Sequence, residues 1–87
     1  MLDIRYNITL AVRDAPGVLV RVAQVFARRS ANISAFHVTH PTNSPWSQMK
    51  ITVHNIARID QITAQLEKLV DVYAVTVHKQ AKEDNQL

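Results

Sequence analysis

The apolar residues of this chain change their spacing in a set order, and that order decides what the chain can fold into. Ile4, Tyr6, Ile8, Leu10 and Val12 occupy every second position, with Arg5, Asn7 and Thr9 between them. A period of two marks a strand with one buried face. Asp14-Ala15-Pro16-Gly17 breaks the pattern. Leu19, Val22, Ala23, Phe26 and Ala27 then recur at helical spacing, with Arg21, Gln24 and Arg28 on the opposite side. Asp14 is expected to cap this helix, and Pro16 to lie in its first turn, where a missing N–H costs nothing. Strand spacing returns over Asn32 to Thr39, which sets Ile33 on one face and Phe36 and Val38 on the other. It continues over Ser47 to His54, where Met49, Ile51 and Val53 share a face. Pro41 to Pro45 between them reads as the long tip of a hairpin. Ile59, Ile62, Leu66 and Leu69 mark a second helix, with Asp60, Ala64, Glu67 and Lys68 outward, and Asp71 to Lys79 a fourth strand.

The order is βαββαβ. Two helices with apolar stripes must cover one face of a four-stranded antiparallel sheet, since nothing else is present to bury them. Right-handed crossovers then predict an α+β, ferredoxin-like sandwich. A chain of 87 residues allows one such domain, expected over 1–80, with the polar stretch 81–87 as a frayed tail. The open sheet face is expected to keep apolar side chains from strands two and four, which points to an oligomer.

Function classes fall away in turn. With no Cys, the chain has no disulfide scaffold, thiol nucleophile or Cys-based zinc site. No apolar run approaches the roughly 20 residues of a membrane span, and no signal peptide is visible at the N-terminus. A cytoplasmic, soluble domain with no membrane association is expected. The formal charge of +3 is spread over Arg5, Arg13, Arg21, Arg58 and Lys68, with Arg28-Arg29 the one cluster. A nucleic-acid binder gathers such charge on one face. The outward positions of strand one, Asp3 to Ala11, also lack the aromatics on which RNA-binding versions of this fold stack bases, so no nucleic-acid partner is expected.

Catalysis and metal binding find little support. His37 and His40, three apart on a strand, point to opposite faces, and no acid or Cys stands near them at ligand spacing. His54 and His78 likewise read as surface residues, and no metal site is assigned. No carboxylate pair and no Ser-His-acid set suggests itself. Val22 to Arg28 is faintly similar to acylphosphatases, which share this fold, but their anion-cradling loop is Gly-rich. No catalytic residues are assigned.

The junction between strand one and helix one stands apart. The first N–H groups of a helix lack internal partners and carry the positive end of its dipole, so they can hold a carboxylate. Gly17 is the chain's single Gly and lets a ligand approach the backbone. Asp14 offers a charge opposite to an ammonium. Physics alone leaves two readings open, a plain capped turn and a site for a free amino acid.

Val12-Arg13-Asp14-Ala15-Pro16-Gly17-Val18-Leu19, followed by Phe26-Ala27-Arg28-Arg29 and Asn32-Ile33, resembles the opening of ACT domains. Within that superfamily the resemblance is strongest to the small regulatory subunit of acetohydroxyacid (acetolactate) synthase. Lys68-Leu69-Val70-Asp71-Val72, leading into strand four, strengthens it. The similarity runs over residues 4 to 79. It implies an amino-acid sensor without catalysis, acting in branched-chain amino acid biosynthesis. Two such domains pair as a homodimer, and an effector such as valine sits between them near the start of helix one. The matching positions are Asp14, Gly17, Val18, Asn32 and Ile33, with Asn32 coming from the partner protomer. Val18, Leu19 and Ile33 would wall a branched side chain. The implied macromolecular partner is the large catalytic subunit, which would carry the thiamine diphosphate, FAD and Mg²⁺; this chain would hold no cofactor. Two departures stand out: many of these subunits have Asn where this chain has Asp14, and many carry a second, C-terminal domain. The competing reading is a stand-alone ACT sensor, or an assembly module, for a different metabolic enzyme.

Overall fold

The computed structural model describes residues 2–83. Its elements are β1 (Leu2–Arg13), α1 (Val18–Arg28), β2 (Ile33–Thr39), β3 (Trp46–His54), α2 (Ile59–Glu67) and β4 (Val72–Glu83), the expected βαββαβ order. The strands form one antiparallel sheet in the order β2-β3-β1-β4, so both helical connections skip a strand. This is the ferredoxin-like sandwich that the spacing predicts. β4 runs to Glu83, pairing Ile4 with Ala81 and Asp3 with Lys82, so the expected boundary at residue 80 falls inside a strand. Residues 84–87 of the expected tail lie outside the described residues.

The core lies between sheet and helices. β1 contributes Tyr6, Ile8, Leu10 and Val12, and β3 contributes Met49, Ile51 and Val53. α1 inserts Val18, Val22, Val25 and Phe26, and α2 inserts Ile62 and Leu66. Phe26 is fully enclosed and is the largest of these side chains. The buried stripe of α1 therefore differs from the expected one. Leu19 and Ala27 are exposed, and the stripe is rotated toward Val18 and Val25. Several apolar residues on this helix made two neighbouring stripes possible, and contact with the sheet selected one.

Two β-bulges change which residues face the core. In β2, Ile33 pairs with Val53 while Ala35 pairs with Thr52, which leaves Ser34 as the extra residue. In β4, Val12 pairs with Val72 and Ala11 with Ala74, which leaves Tyr73 extra. A regular strand would put Ile33 and Val72 on the open face. One extra residue in each strand turns both toward the core. Ile33 and Phe36 thus share a face instead of opposing each other. The middle of the open face is polar, with His37, Lys50, Thr52, Asn7, Thr9, Thr76 and His78 in neighbouring rows, while Ala35, Ala11, Ala74 and Trp46 are its apolar members. Of the apolar side chains expected there from strands two and four, the face carries the small Ala35 and Ala74. The large exposed apolar residues are instead Leu19, Val20, Val38, Trp46, Val70 and Tyr73.

Short-range chemistry closes the turns. α1 ends in a paired set of bonds in which Ala31 N–H donates to Phe26 C=O and Ser30 N–H to Ala27 C=O, with Ser30 at φ 56°. After β3, Asn55 adopts φ 54° and ties back to β1, its Oδ1 accepting from Ile4 N–H at 2.9 Å. At the start of α2, a hydrogen bond from Arg58 holds the Asp60 carboxyl below the usual carboxylate range.

Candidate functional site

The β1–α1 junction is a tight turn built by Pro16 and Gly17. Val18 N–H donates to Ala15 C=O at 3.4 Å, and Gly17 has φ 84° and ψ −9°. Pro followed by a residue at positive φ is the signature of a type II turn. Pro16 therefore precedes the helix instead of sitting in its first turn. Gly17 is the N-cap, and no side chain caps α1. Asp14 does not serve as the expected cap. Leu19 and Val20 N–H have no acceptor among the described residues, and the first turn of α1 contains no acidic side chain. Together these leave a positive helix end with free donors.

The six residues singled out from the sequence divide into two groups. Asp14, Gly17 and Leu19 sit at the start of α1 with exposed side chains or backbone. Val18 follows Gly17, but its side chain is turned into the core, which leaves Leu19 as the exposed apolar residue of this junction. Asn32 and Ile33 lie beyond the other end of the helix, with Asn32 exposed and Ile33 packed against the core. The 11 residues of α1 separate the groups by about 16 Å at a rise of 1.5 Å per residue. One chain therefore does not bring them to a single small ligand.

The junction is braced by residues that pattern reading missed. Arg13 N–H donates to Asp71 C=O and Asp14 N–H to Pro45 C=O, both at 2.8 Å. Arg21 Nη1 meets Asp71 Oδ2 at 2.7 Å, joining α1 to the start of β4. The Arg21 guanidinium lies close enough to Gly17 that a Cβ there would stand 3.5 Å from it. A carboxylate approaching this helix end meets that side chain as well as the free N–H groups. No local spacing signals the pair, because 50 residues separate its members.

The structure also assembles a Ser, a His and an Asp that no sequence motif announces. His40 Nδ1 lies 3.1 Å from Ser47 Oγ, and its Nε2 lies 3.4 Å from Asp14 Oδ2. A nucleophilic triad needs an accessible hydroxyl and a buried acid. Here Ser47 is 6% exposed, whereas the Asp14 side chain is 56% exposed. The set works as a tether from the β2–β3 loop to the β1–α1 junction. Trp46 and Tyr73 pack edge to face at 78° beside it and remain partly exposed.

Comparison with known proteins follows the same stretch of chain. The profile of the AHAS small subunit-like ACT domain matches residues 8–74. The acetolactate synthase small subunit of Mycolicibacterium smegmatis is 35% identical over 83 residues, covering 94% of this chain and 47% of that protein. The acetolactate synthase isozyme 1 small subunit of Escherichia coli K12 is 35% identical over 66 residues, covering 76% of this chain and 69% of the relative. Among solved structures, the acetolactate synthase small subunit from Thermotoga maritima superposes with a TM-score of 0.74 at 36% identity. That match covers 84% of this chain and 46% of the other. The chain spans about half the length of most of the curated relatives it matches.

Proposed function

Because the chain belongs to the AHAS small subunit-like ACT domain family, we propose that it acts as a regulatory subunit of acetolactate synthase, binding a branched-chain amino acid between two copies of itself. The observation that carries this reading is the 35% identity across 94% of the chain to a protein of that name. The chain contributes regulation; the thiamine diphosphate, FAD and Mg²⁺ of the reaction belong to the large subunit.

The junction supports a ligand with both a carboxylate and an ammonium. The free N–H groups of Leu19 and Val20, the helix dipole and the nearby Arg21 suit the carboxylate. Asp14 suits the ammonium. Leu19 offers apolar surface for a branched side chain. Asn32, at the far end of α1, joins this set through a second protomer. A small apolar pocket separates valine from leucine or isoleucine by only about 1–3 kcal/mol, so more than one of these is expected to bind.

A homodimer fits the exposed features of the chain. β2 is an edge strand whose outer backbone groups are unpaired within the sheet. Val38 on β2 is 50% exposed, as is Leu19 on α1 at 49%. An edge with apolar neighbours is a template for pairing with another strand.

The test is a thermal-shift panel of the chain against the free amino acids, with Asp14→Ala and Asn32→Ala alongside. A ligand at about a hundred times its Kd adds roughly 2.7 kcal/mol to the native state. Stabilisation by valine, leucine or isoleucine, lost in both variants, is the expected result. The second arm mixes the chain with the large subunit, and an unchanged rate and unchanged valine sensitivity would refute the regulatory role.

A further inference from the structure

The ion pairs of the chain sort its charges by face. Asp3, Asp14, Asp60 and Asp71 each meet a basic side chain at 2.7–3.4 Å. Arg5, Arg13 and Lys50 are exposed and have no carboxylate partner among the described residues. All three belong to the open sheet face, where Arg5 lies opposite His54, Lys50 opposite Thr9 and Arg13 opposite Trp46. Asp3, on the same face, is held by His54 and Asn55. The polar centre is also fixed in place: Asn7 Oδ1 accepts from Thr52 Oγ1 at 2.9 Å, and Asn7 Nδ2 donates to Gln80 Oε1 at 3.2 Å. At one end of the face Trp46 and Tyr73 pack on each other and stay 39% and 52% exposed. Beside them lies a cavity of about 230 Å³ lined by Ala11, Ala74, Pro41 and Trp46. Accessible Trp and Tyr next to Arg is the composition of an interface hot spot.

We infer that the open sheet face is the surface on which the large catalytic subunit docks, with carboxylates of that subunit meeting Arg5, Arg13 and Lys50 and one of its apolar side chains entering the cavity beside Trp46. This rests on the reading that the chain is a regulatory subunit of acetolactate synthase.

Charge selects the occupant. A second copy stacked on this face about a two-fold axis would set the same basic patch against itself. Like charges would then oppose each other with no free carboxylate between them. A second copy pairing at the β2 edge adds strands beside the face and leaves it uncovered. RNA-binding sheets stack bases on aromatics of their central strands. Here the middle of β1 and β3 carries Arg5, Asn7, Thr9, Lys50 and Thr52, and the two aromatics pack on each other. An acidic protein surface suits the cations and the aromatic corner together. The corner is also bonded to the proposed amino-acid site. Tyr73 lies two residues after Asp71, which accepts from Arg13 N–H and pairs with Arg21. Trp46 follows Pro45, whose C=O accepts from Asp14 N–H.

The test is biolayer interferometry of the chain on the acetolactate synthase large subunit from the same genome, at low and high salt. The proteins compared are the wild type, Lys50→Glu, Tyr73→Ser and, as a control exposed on α1, Arg28→Glu. Lys50→Glu and Tyr73→Ser are each expected to raise Kd about tenfold or more. Their circular dichroism, sedimentation and valine-induced thermal shift are expected to match the wild type. The wild-type Kd is expected to rise with salt, and that of Lys50→Glu to rise less. Arg28→Glu is expected to bind as the wild type does. Unchanged binding by both face variants, or an equal loss in Arg28→Glu, overturns the docking face and leaves the regulatory role standing. A smaller assembly of the free chain in either face variant assigns the face to a second copy and overturns it as well. Binding of the wild type to a single-stranded RNA oligonucleotide, abolished in Lys50→Glu, does the same. No binding of the large subunit by the wild type overturns the proposed function and this inference with it.

Discussion

Gly17→Ala isolates what the backbone of the β1–α1 junction requires. Gly17 sits at φ 84° and ψ −9°, and a Cβ there would meet only the Arg21 guanidinium, at an ordinary contact distance of 3.5 Å. Steric overlap therefore adds little, and the penalty is conformational. Holding an L-residue in the left-handed region costs about 1–2 kcal/mol. The smaller conformational freedom of Ala in the unfolded chain returns about 0.4–1 kcal/mol. The net loss is about 1 kcal/mol, which lowers the Tm of a domain this size by about 4–8 °C. Gly17→Asn, whose side chain tolerates this region, is expected to lose less than Ala. Urea denaturation with linear extrapolation, at one protein concentration, measures all three proteins. Equal stability of Ala and Gly at this position would refute the left-handed turn. A loss above about 3 kcal/mol would mean that the Cβ meets something other than Arg21, since such values come from packing or buried-group defects.

Other perturbations test the core, the brace and the edge. Phe26→Ala removes the largest fully buried side chain and is expected to cost about 3–5 kcal/mol, read as loss of the cooperative thermal transition. Asp71→Ala removes the partner of Arg21, whose bond to it is 2.7 Å; a loss of about 1 kcal/mol or less is expected, and Arg21→Ala in the same background is expected to add little. Val38→Lys places a charge on the exposed edge strand and is expected to give a folded monomer in sedimentation, with unchanged circular dichroism.

Much of the fold was legible because the spacing of apolar residues is regular. Ile8, Leu10 and Val12 on β1, Met49, Ile51 and Val53 on β3, and Ile62 and Leu66 on α2 all lie where their period places them. Pattern reading failed where a single residue breaks the count. Ser34 and Tyr73 each shift their strand by one, so Ile33 and Val72 face the core against the simple alternation. The phase of α1 was ambiguous because Leu19 and Val18 are both apolar, and only packing against the sheet decides between them. At the site, Gly17 and the positive end of α1 were visible as a local motif. Arg21 with Asp71, and His40 with Asp14 and Ser47, were not, because they meet only when distant segments fold together. Likewise, the split of Asn32 from Gly17 reflects helix length, which a list of matching positions leaves out.

The two bulges also determine where this chain can change its length. Ser34 stands between Ile33, aligned with Val53, and Ala35, aligned with Thr52, which are already neighbours on the opposing strand. Deleting Ser34 would leave a continuous ladder, with every remaining residue on its present face. The same holds for Tyr73 between Val72 and Ala74. Deleting one residue from the middle of β1 or β3 would instead invert half of a strand. Each bulge lies at the start of the strand that follows a helix, so this chain could lose a residue there while its sheet keeps its alignment.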